Sequence, residues 1–503
     1  MSVQLVWFKR DLRVFDHEPL ARAAKAGYCV GLYVYERELI EADHHDAAHL
    51  QFVNESLLEL RDSLRRLGGE LLLRVGQVTE EFEKLHKELG LSKIWAHEET
   101  FDDISYQRDR RVRRWVKDNQ IAFEEIPQYG VVRRLKSRDR WSSIRAERMN
   151  RPLIETPKEI RWPPNNSSLA PGKIQNVETF KVQSFDRTDV QSGGESKALE
   201  CLDSFLDNRG RNYRDEMSSP VTAGQSCSRL SPFIAYGNVS MRTIENRTSN
   251  RIKELGELKK GGAEVDPSWR KSLSSFKSRL SWHCHFMQKL EDEPTVEFQN
   301  MNRAYDGLRE NEFNRDYFNA WCMGQTGFPM VDACMRALHQ TGWINFRMRA
   351  MLVSFAAYHL WLHWREPAVY LARLFLDFEP GIHYSQVQMQ SGVTGINTIR
   401  IYSPIKQVAD QDPQGKFIRR YVPELADVPD KHLAEPHKMN LMEQSLFGCR
   451  IGRDFPFPIV DHKTQYKIAR DRIFKHKRLP ETRMAAQDVY TKHGSRKTPM
   501  SQR

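Results

Sequence analysis

The stretch 321–355, WCMGQTGFPMVDACMRALHQTGWINFRMRAMLVSF, continues as HWREPAVYLARLFLDFEPGIHYSQVQMQSGVTGINTIRIYSPIKQ over 363–407 and ends in FIRRY at 417–421. Apolar residues recur in it at three- and four-residue spacing. Val331–His339, Trp343–Trp364 and Pro367–Leu376 therefore read as helices, with loops at the glycines and prolines.

Working outward, the first 130 residues have a different rhythm. QLVWF (4–8), CVGLYVY (29–35), ELLLRV (70–75), KIWAH (93–97) and AFEEI (122–126) read as strands, separated by amphipathic segments such as 47–67 and 80–89. Strand–helix alternation implies a doubly wound parallel sheet. No GxGxxG follows the first strand, which excludes a nicotinamide-dinucleotide fingerprint. The sequence thus divides into an α/β domain over 1–130, a Pro-, Ser- and Gly-rich linker over 131–196, a large all-α domain over 197–465 and a basic tail over 466–503, whose last dozen residues are expected to fray.

Lys and Arg outnumber Asp and Glu 77 to 66, a net charge of +11, which favours polyanionic partners. The longest apolar run, 350–362, is too short to span a bilayer and contains His359. With no signal peptide in MSVQLVWFKRDLR, a cytoplasmic, monomeric protein without a membrane partner is expected. The seven cysteines are dispersed with no CxxC pair, so reduced thiols and no iron–sulfur cluster are expected.

The block 321–421 resembles the flavin-binding core of the photolyase/cryptochrome family, and WFKRDLRVFDH (7–17) resembles the opening of that family's antenna domain. The resemblance implies FAD, UV-damaged DNA and blue light. Tyr213 with SCSRLSPFIAYGNVS (226–240) resembles the first flavin signature, which would place Tyr213, Cys227, Ser228, Arg229, Leu230 and Ser231 at the phosphates, Cys227 standing where a threonine is common. The resemblance places His283, Arg349, Asp377, Glu379 and His383 at the flavin, with Arg349 and Asp377 matching a charged pair near its ring. Burying such a pair is costly unless both members are hydrogen-bonded, so a cofactor partner is one reason for it and a structural helix-to-loop salt bridge the other. His383 replaces the family's usual asparagine opposite the ring's N5; an imidazole there offers a donor to N5 or a proton that moves with light. A satisfied core histidine is the alternative.

On the substrate side, Trp282 matches the stacking tryptophan, and Asn345, Phe346, Arg347 and Arg349 fall in a motif facing DNA or flavin. Arg279 stands where cyclobutane-dimer enzymes carry glutamate, and Met389 where a second tryptophan stacks. Phe346 and Ala350 occupy the positions of the two histidines that mark animal-type (6-4) enzymes. Arg400, Lys406, Lys416, Arg419 and Arg420 are candidate phosphate contacts, and the basic segment 462–478 is a further one. Of the family's three electron-relay tryptophans only Trp364 matches; Val387 and Asn311 take the other places, leaving Trp361 and Tyr384 as candidate relays, with Trp343 and Tyr370 behind them. Catalytic roles fall to Trp282, Asn345, Arg349, Asp377 and His383. The implied reaction is light-driven repair of a pyrimidine dimer, cyclobutane type favoured; a (6-4) photolyase and a photosensor without repair are the alternatives. An antenna chromophore is possible, with no residue pattern to name it.

Overall fold

The computed structural model describes residues 2–164 and 169–495. Five parallel strands, β1 (Val3–Phe8), β2 (Tyr28–Tyr35), β3 (Leu71–Val75), β4 (Leu91–His97) and β5 (Ala122–Ile126), form one sheet in the order β3-β2-β1-β4-β5. Every residue of β1 is buried, as expected of a central strand covered on both faces. Val6 and Phe8 of β1 pack with helices α1 (Glu18–Ala26) and α2 (Ala47–Arg66) through Leu20, Phe52 and Leu57. Leu5 and Trp7, pointing the other way, pack with α3 (Val78–Leu89) and α4 (Asp103–Asp118) through Phe82, Leu85 and Val112. The period-two alternation of the strand thus assigns one helix pair to each face.

The segment 131–196, read as a linker, is irregular over most of its described length but contains a helix, α5 (Trp141–Asn150). Trp141, Arg145 and Met149 form its buried stripe, too sparse in apolar residues to announce a helix in sequence. The helical domain then begins with α6 (Glu195–Asp207) and continues through α7 (Met241–Lys260) and α8 (Ser268–Asp292). Next come α9 (Pro329–Thr341), α10 (Phe346–Ser354), α11 (Arg365–Leu374), α12 (Pro380–Gln390) and α13 (Pro404–Gln411).

The stretch 343–364, which reads as one helical pattern, is broken: α10 stops at Ser354, a π-helical turn runs Phe355–His359, and Trp361 adopts φ +53°. The tail is likewise helical, α14 (His462–Lys477) and α15 (Pro480–His493), and it docks. His493, expected among the fraying residues, is buried with its Nε2 on Glu293, while 496–503 lie outside the described residues.

One core cluster contains residues of both domains, among them Phe8, Phe52, Phe233 and Leu280. At this junction Gly237 has φ +69°, and a Cβ there would lie 2.3 Å from the Arg10 carbonyl oxygen; only glycine admits the approach. No helix among the described residues is long and apolar enough to cross a membrane.

Candidate flavin site and its DNA-facing mouth

A cavity opens between α10, the segment following α11, and α12. Phe346, Arg349, Ala350 and Val353 recur at i, i+3, i+4 and i+7, so α10 presents one face to it; Ile382, His383, Gln386, Val387 and Gln390 do the same on α12. Phe375, Asp377, Phe378 and Glu379 close the third wall. The chain has therefore brought together the arginine, both carboxylates and the histidine singled out in the sequence.

Arg349 and Asp377 form a bidentate pair, Nη1–Oδ1 and Nη2–Oδ2 both 2.9 Å, and Arg349 Nε donates to the Ile344 carbonyl at 2.8 Å. Burial alone would raise the Asp377 pKa; the Arg349 charge and hydrogen bonds, with a further bond from Ser231, outweigh it and hold the carboxylate below its ordinary range. Ser231 thus joins the first flavin signature to the cavity. Beside it Arg229, at φ +60°, stacks on Trp343 at 4.0 Å and donates through Nε to Gln191 at 3.1 Å. The loop is held by a residue sequence reading missed. Arg209 donates to the carbonyls of Cys201, Gln225, Cys227 and Ser228 at 2.6–3.2 Å. Nothing in RGRNYRDE marks that arginine as special before the loop is folded. Leu230 is wholly buried in the core and Tyr213 bonds Arg279, so these two frame the loop and are not among the lining of the described cavity.

His283 Nε2 lies 2.9 Å from Glu379 Oε2 and 3.0 Å from Oε1. Burial penalises the imidazolium, but the Glu379 charge prevails and the His283 pKa rises to about 10, so the pair is ionic at neutral pH. His383 is the opposite case. Burial lowers its pKa to about 4, and its Nε2 donates to the Ala368 carbonyl at 2.8 Å. That bond fixes the tautomer and leaves Nδ1 an acceptor. The expectation of a histidine donor to N5 is corrected: the donor is spent on the backbone.

FAD fits this donor set. An ionic Arg–Asp pair, a second carboxylate, an acceptor imidazole and the buried, unpaired Oε1 of Gln386 line a cavity otherwise walled by Phe346, Phe375, Phe378 and Val387, polar at a few points and apolar elsewhere.

Trp282, one residue before His283, is 47% exposed with the Arg279 guanidinium 4.7 Å from its ring centre, and Phe346 at the cavity lip is 49% exposed. Asn345 is placed differently from its expected DNA contact: it is buried, and its amide nitrogen donates to the carbonyls of Met217 (3.1 Å) and Ser218 (2.7 Å). Met389 is half-buried and absent from the lining. Arg347, Arg400 and Lys406 meet in an open groove of about 590 Å³ together with Ser403, His462, Lys463 and Tyr466.

Among the relay candidates, Tyr384 contacts His383 and Phe378 (ring centres 5.3 and 6.1 Å) and Trp364 (6.2 Å). Trp361 stands apart, with the guanidiniums of Arg309 and Arg472 at 4.4 and 4.1 Å. A second cavity lies in the α/β domain among Trp7, Arg10, Tyr33, Glu36, His49 and Phe101. His49 Nε2 donates 2.9 Å to the Phe375 carbonyl, and Phe101 packs edge-on to Phe378, so the two cavities share a wall.

The family description "FAD binding domain of DNA photolyase" matches residues 276–475, and "DNA photolyase" matches 4–135. The chain is similar to a deoxyribodipyrimidine photo-lyase of Alkalihalophilus pseudofirmus, 27% identical over 93% of this chain and 97% of that one. It is equally similar to a cryptochrome DASH of Gloeobacter violaceus, 28% identical over 91% and 93%. A bacterial class III photolyase from Agrobacterium tumefaciens has the same fold, with TM-score 0.81, 24% identity, and coverage of 95% of this chain and 98% of that one. A parallel-sheet domain joined to a helical flavin domain, with both stretches matched, makes this chain a member of the photolyase/cryptochrome family.

Proposed function

We propose that the protein repairs a UV-induced pyrimidine dimer, cyclobutane type favoured, in a blue-light reaction. The observation that carries this reading is the pairing of two half-exposed aromatic rings, Trp282 and Phe346, with a cation-lined groove beside a cavity suited to FAD. Exposed rings take up an extruded base by stacking, and Arg347, Arg400 and Lys406 supply phosphate contacts. When bound, FAD absorbs the light and supplies the electron that splits the lesion.

The protein's part is to bind, orient and exclude water. Arg349, Asp377 and Glu379 offer charged hydrogen-bonding edges, and Phe375, Phe378 and Val387 keep the cavity dry. A cyclobutane lesion needs one electron in and one back, with no proton transfer. The lining suits that demand: Ala350 and Phe346 bring no acid, and His383 stays neutral. Electrons that reduce an oxidised flavin would enter by Trp364 and Tyr384, whose ring centres lie 6.2 Å apart. Trp361 is a poor relay, because a radical cation there is repelled by two guanidiniums. The cavity of the α/β domain is the place for an antenna chromophore, since it shares a wall with the flavin cavity.

The DASH-type relative favours a second reading, a photosensor that keeps flavin and nucleic-acid affinity without repair. Binding separates them. The repair reading requires that FAD copurify and that a lesion-bearing duplex bind more tightly than an undamaged one, with W282A abolishing the preference; equal binding of both duplexes would leave the sensor.

A further inference from the structure

The C-terminal helix α14 carries six Lys and Arg residues against a single acid, Asp471, which is engaged by Arg470. Ala469 and Ile473 are buried against the body of the protein. Lys463, Lys467, Arg470, Phe474 and, at the C-terminal cap, Arg478 recur at i, i+4, i+7, i+11 and i+15, so they form one exposed stripe. Tyr466 and Phe474 are 36% and 39% exposed within it. At its N-terminal end the stripe runs into the groove of Arg347, Arg400 and Lys406, because Lys463 and Tyr466 line that groove themselves. Lys463, Lys467 and Arg478 appear in no carboxylate pair, whereas Arg472, on another side of the helix, is neutralised by Glu312.

We infer that this stripe is a second DNA-binding surface, which continues the groove and holds the phosphates of duplex DNA flanking the lesion. It rests on the reading of the groove as a DNA site and extends it. The occupant follows from charge and continuity: Lys463, Lys467 and Arg478, none of them paired with a carboxylate, match a row of phosphates, and the groove fixes where the backbone enters. A 16-residue helix is about 24 Å long, which spans roughly seven base pairs. The contact is sequence-independent and salt-sensitive, and it serves undamaged flanks as well as damaged sites.

The test compares the full-length protein with K467Q/R478Q, which leaves the groove-lining Lys463 in place, and, for matched charge loss elsewhere, with K259Q/K260Q on α7. Anisotropy titrations across a salt series use a short duplex confined to the groove and one extended by about ten base pairs on both sides. The stripe variant should lower the slope of log affinity against log salt by about two on the long duplex, and weaken binding there about tenfold. The short duplex and the α7 control should be unchanged. Equal loss in the α7 control, or an unchanged slope on the long duplex, overturns the inference while leaving the groove reading intact. Failure of the parent protein to bind either duplex overturns the groove reading, and the inference with it. Loss of binding to phosphatidylglycerol vesicles with an unchanged DNA slope would assign the stripe to a membrane surface and also overturn the inference. Unchanged circular dichroism and melting confirm that the exposed substitutions leave the fold alone.

Discussion

Replacing Asp377 by alanine strands the Arg349 guanidinium in the flavin cavity. Both Asp377 oxygens accept from Arg349 at 2.9 Å, and the Asp377 side chain is only 4% exposed. Breaking a buried pair from one side costs about 3–5 kcal/mol, because the remaining charge keeps its desolvation penalty. Arg349 is 23% exposed and regains some hydration, so D377A belongs at the lower end, about 3 kcal/mol. Removing both charges in R349M/D377L should return stability to within about 1 kcal/mol of the parent. The assay is urea unfolding followed by far-ultraviolet circular dichroism, with FAD content read from the visible spectrum. D377A should be destabilised and flavin-poor; the double variant should recover stability and stay flavin-poor. A D377A protein that keeps full stability and full FAD would refute the assignment of this pair to the cofactor cavity, and a double variant no more stable than D377A would refute the stranded-charge argument.

Other expectations follow from the same geometry. His283 has its pKa raised to about 10 by Glu379, so its contribution to stability is complete below about pH 6.5 and is lost as pH rises through about 10. Urea midpoints should therefore fall between pH 7 and 10 in the parent and vary less in H283Q. H383N removes the bond to the Ala368 carbonyl and the acceptor facing the cavity, and should shift the flavin spectrum and its reduction potential; an unchanged spectrum and potential would return His383 to a packing role. Y384F should slow photoreduction at least tenfold while W361F leaves it unchanged, read by flavin absorbance under blue light. The reverse pattern would assign the relay to Trp361.

Much of this architecture is written in local patterns. Most of the strands are short apolar runs, rich in Val, Leu and aromatic residues and flanked by polar or glycine residues, and the two faces of β1 follow from alternation. Arg349, Asp377 and His383 were legible because they fall at matched positions of the block that resembles the flavin-binding core. What was not legible depends on tertiary partners. The helix break at 355–361 contains no glycine or proline, and Trp361 takes its left-handed conformation where Arg309 and Arg472 pack against it. Arg209 acquires its role only when four carbonyls converge on it, and the amide of Asn345 is claimed by a loop more than a hundred residues earlier. The docking of the tail was not legible because its buried stripe is only Ala469 and Ile473 on α14 and Thr482, Val489 and His493 on α15.

The central claim is that this pocket repairs DNA with light. The direct measurement is chromatography of an oligonucleotide carrying one defined cyclobutane dimer, incubated with the FAD-loaded, chemically reduced protein in blue light or in darkness. The account predicts conversion to the undamaged strand in light only, abolished in W282A. No restoration under illumination, with FAD bound and reduced, would contradict it.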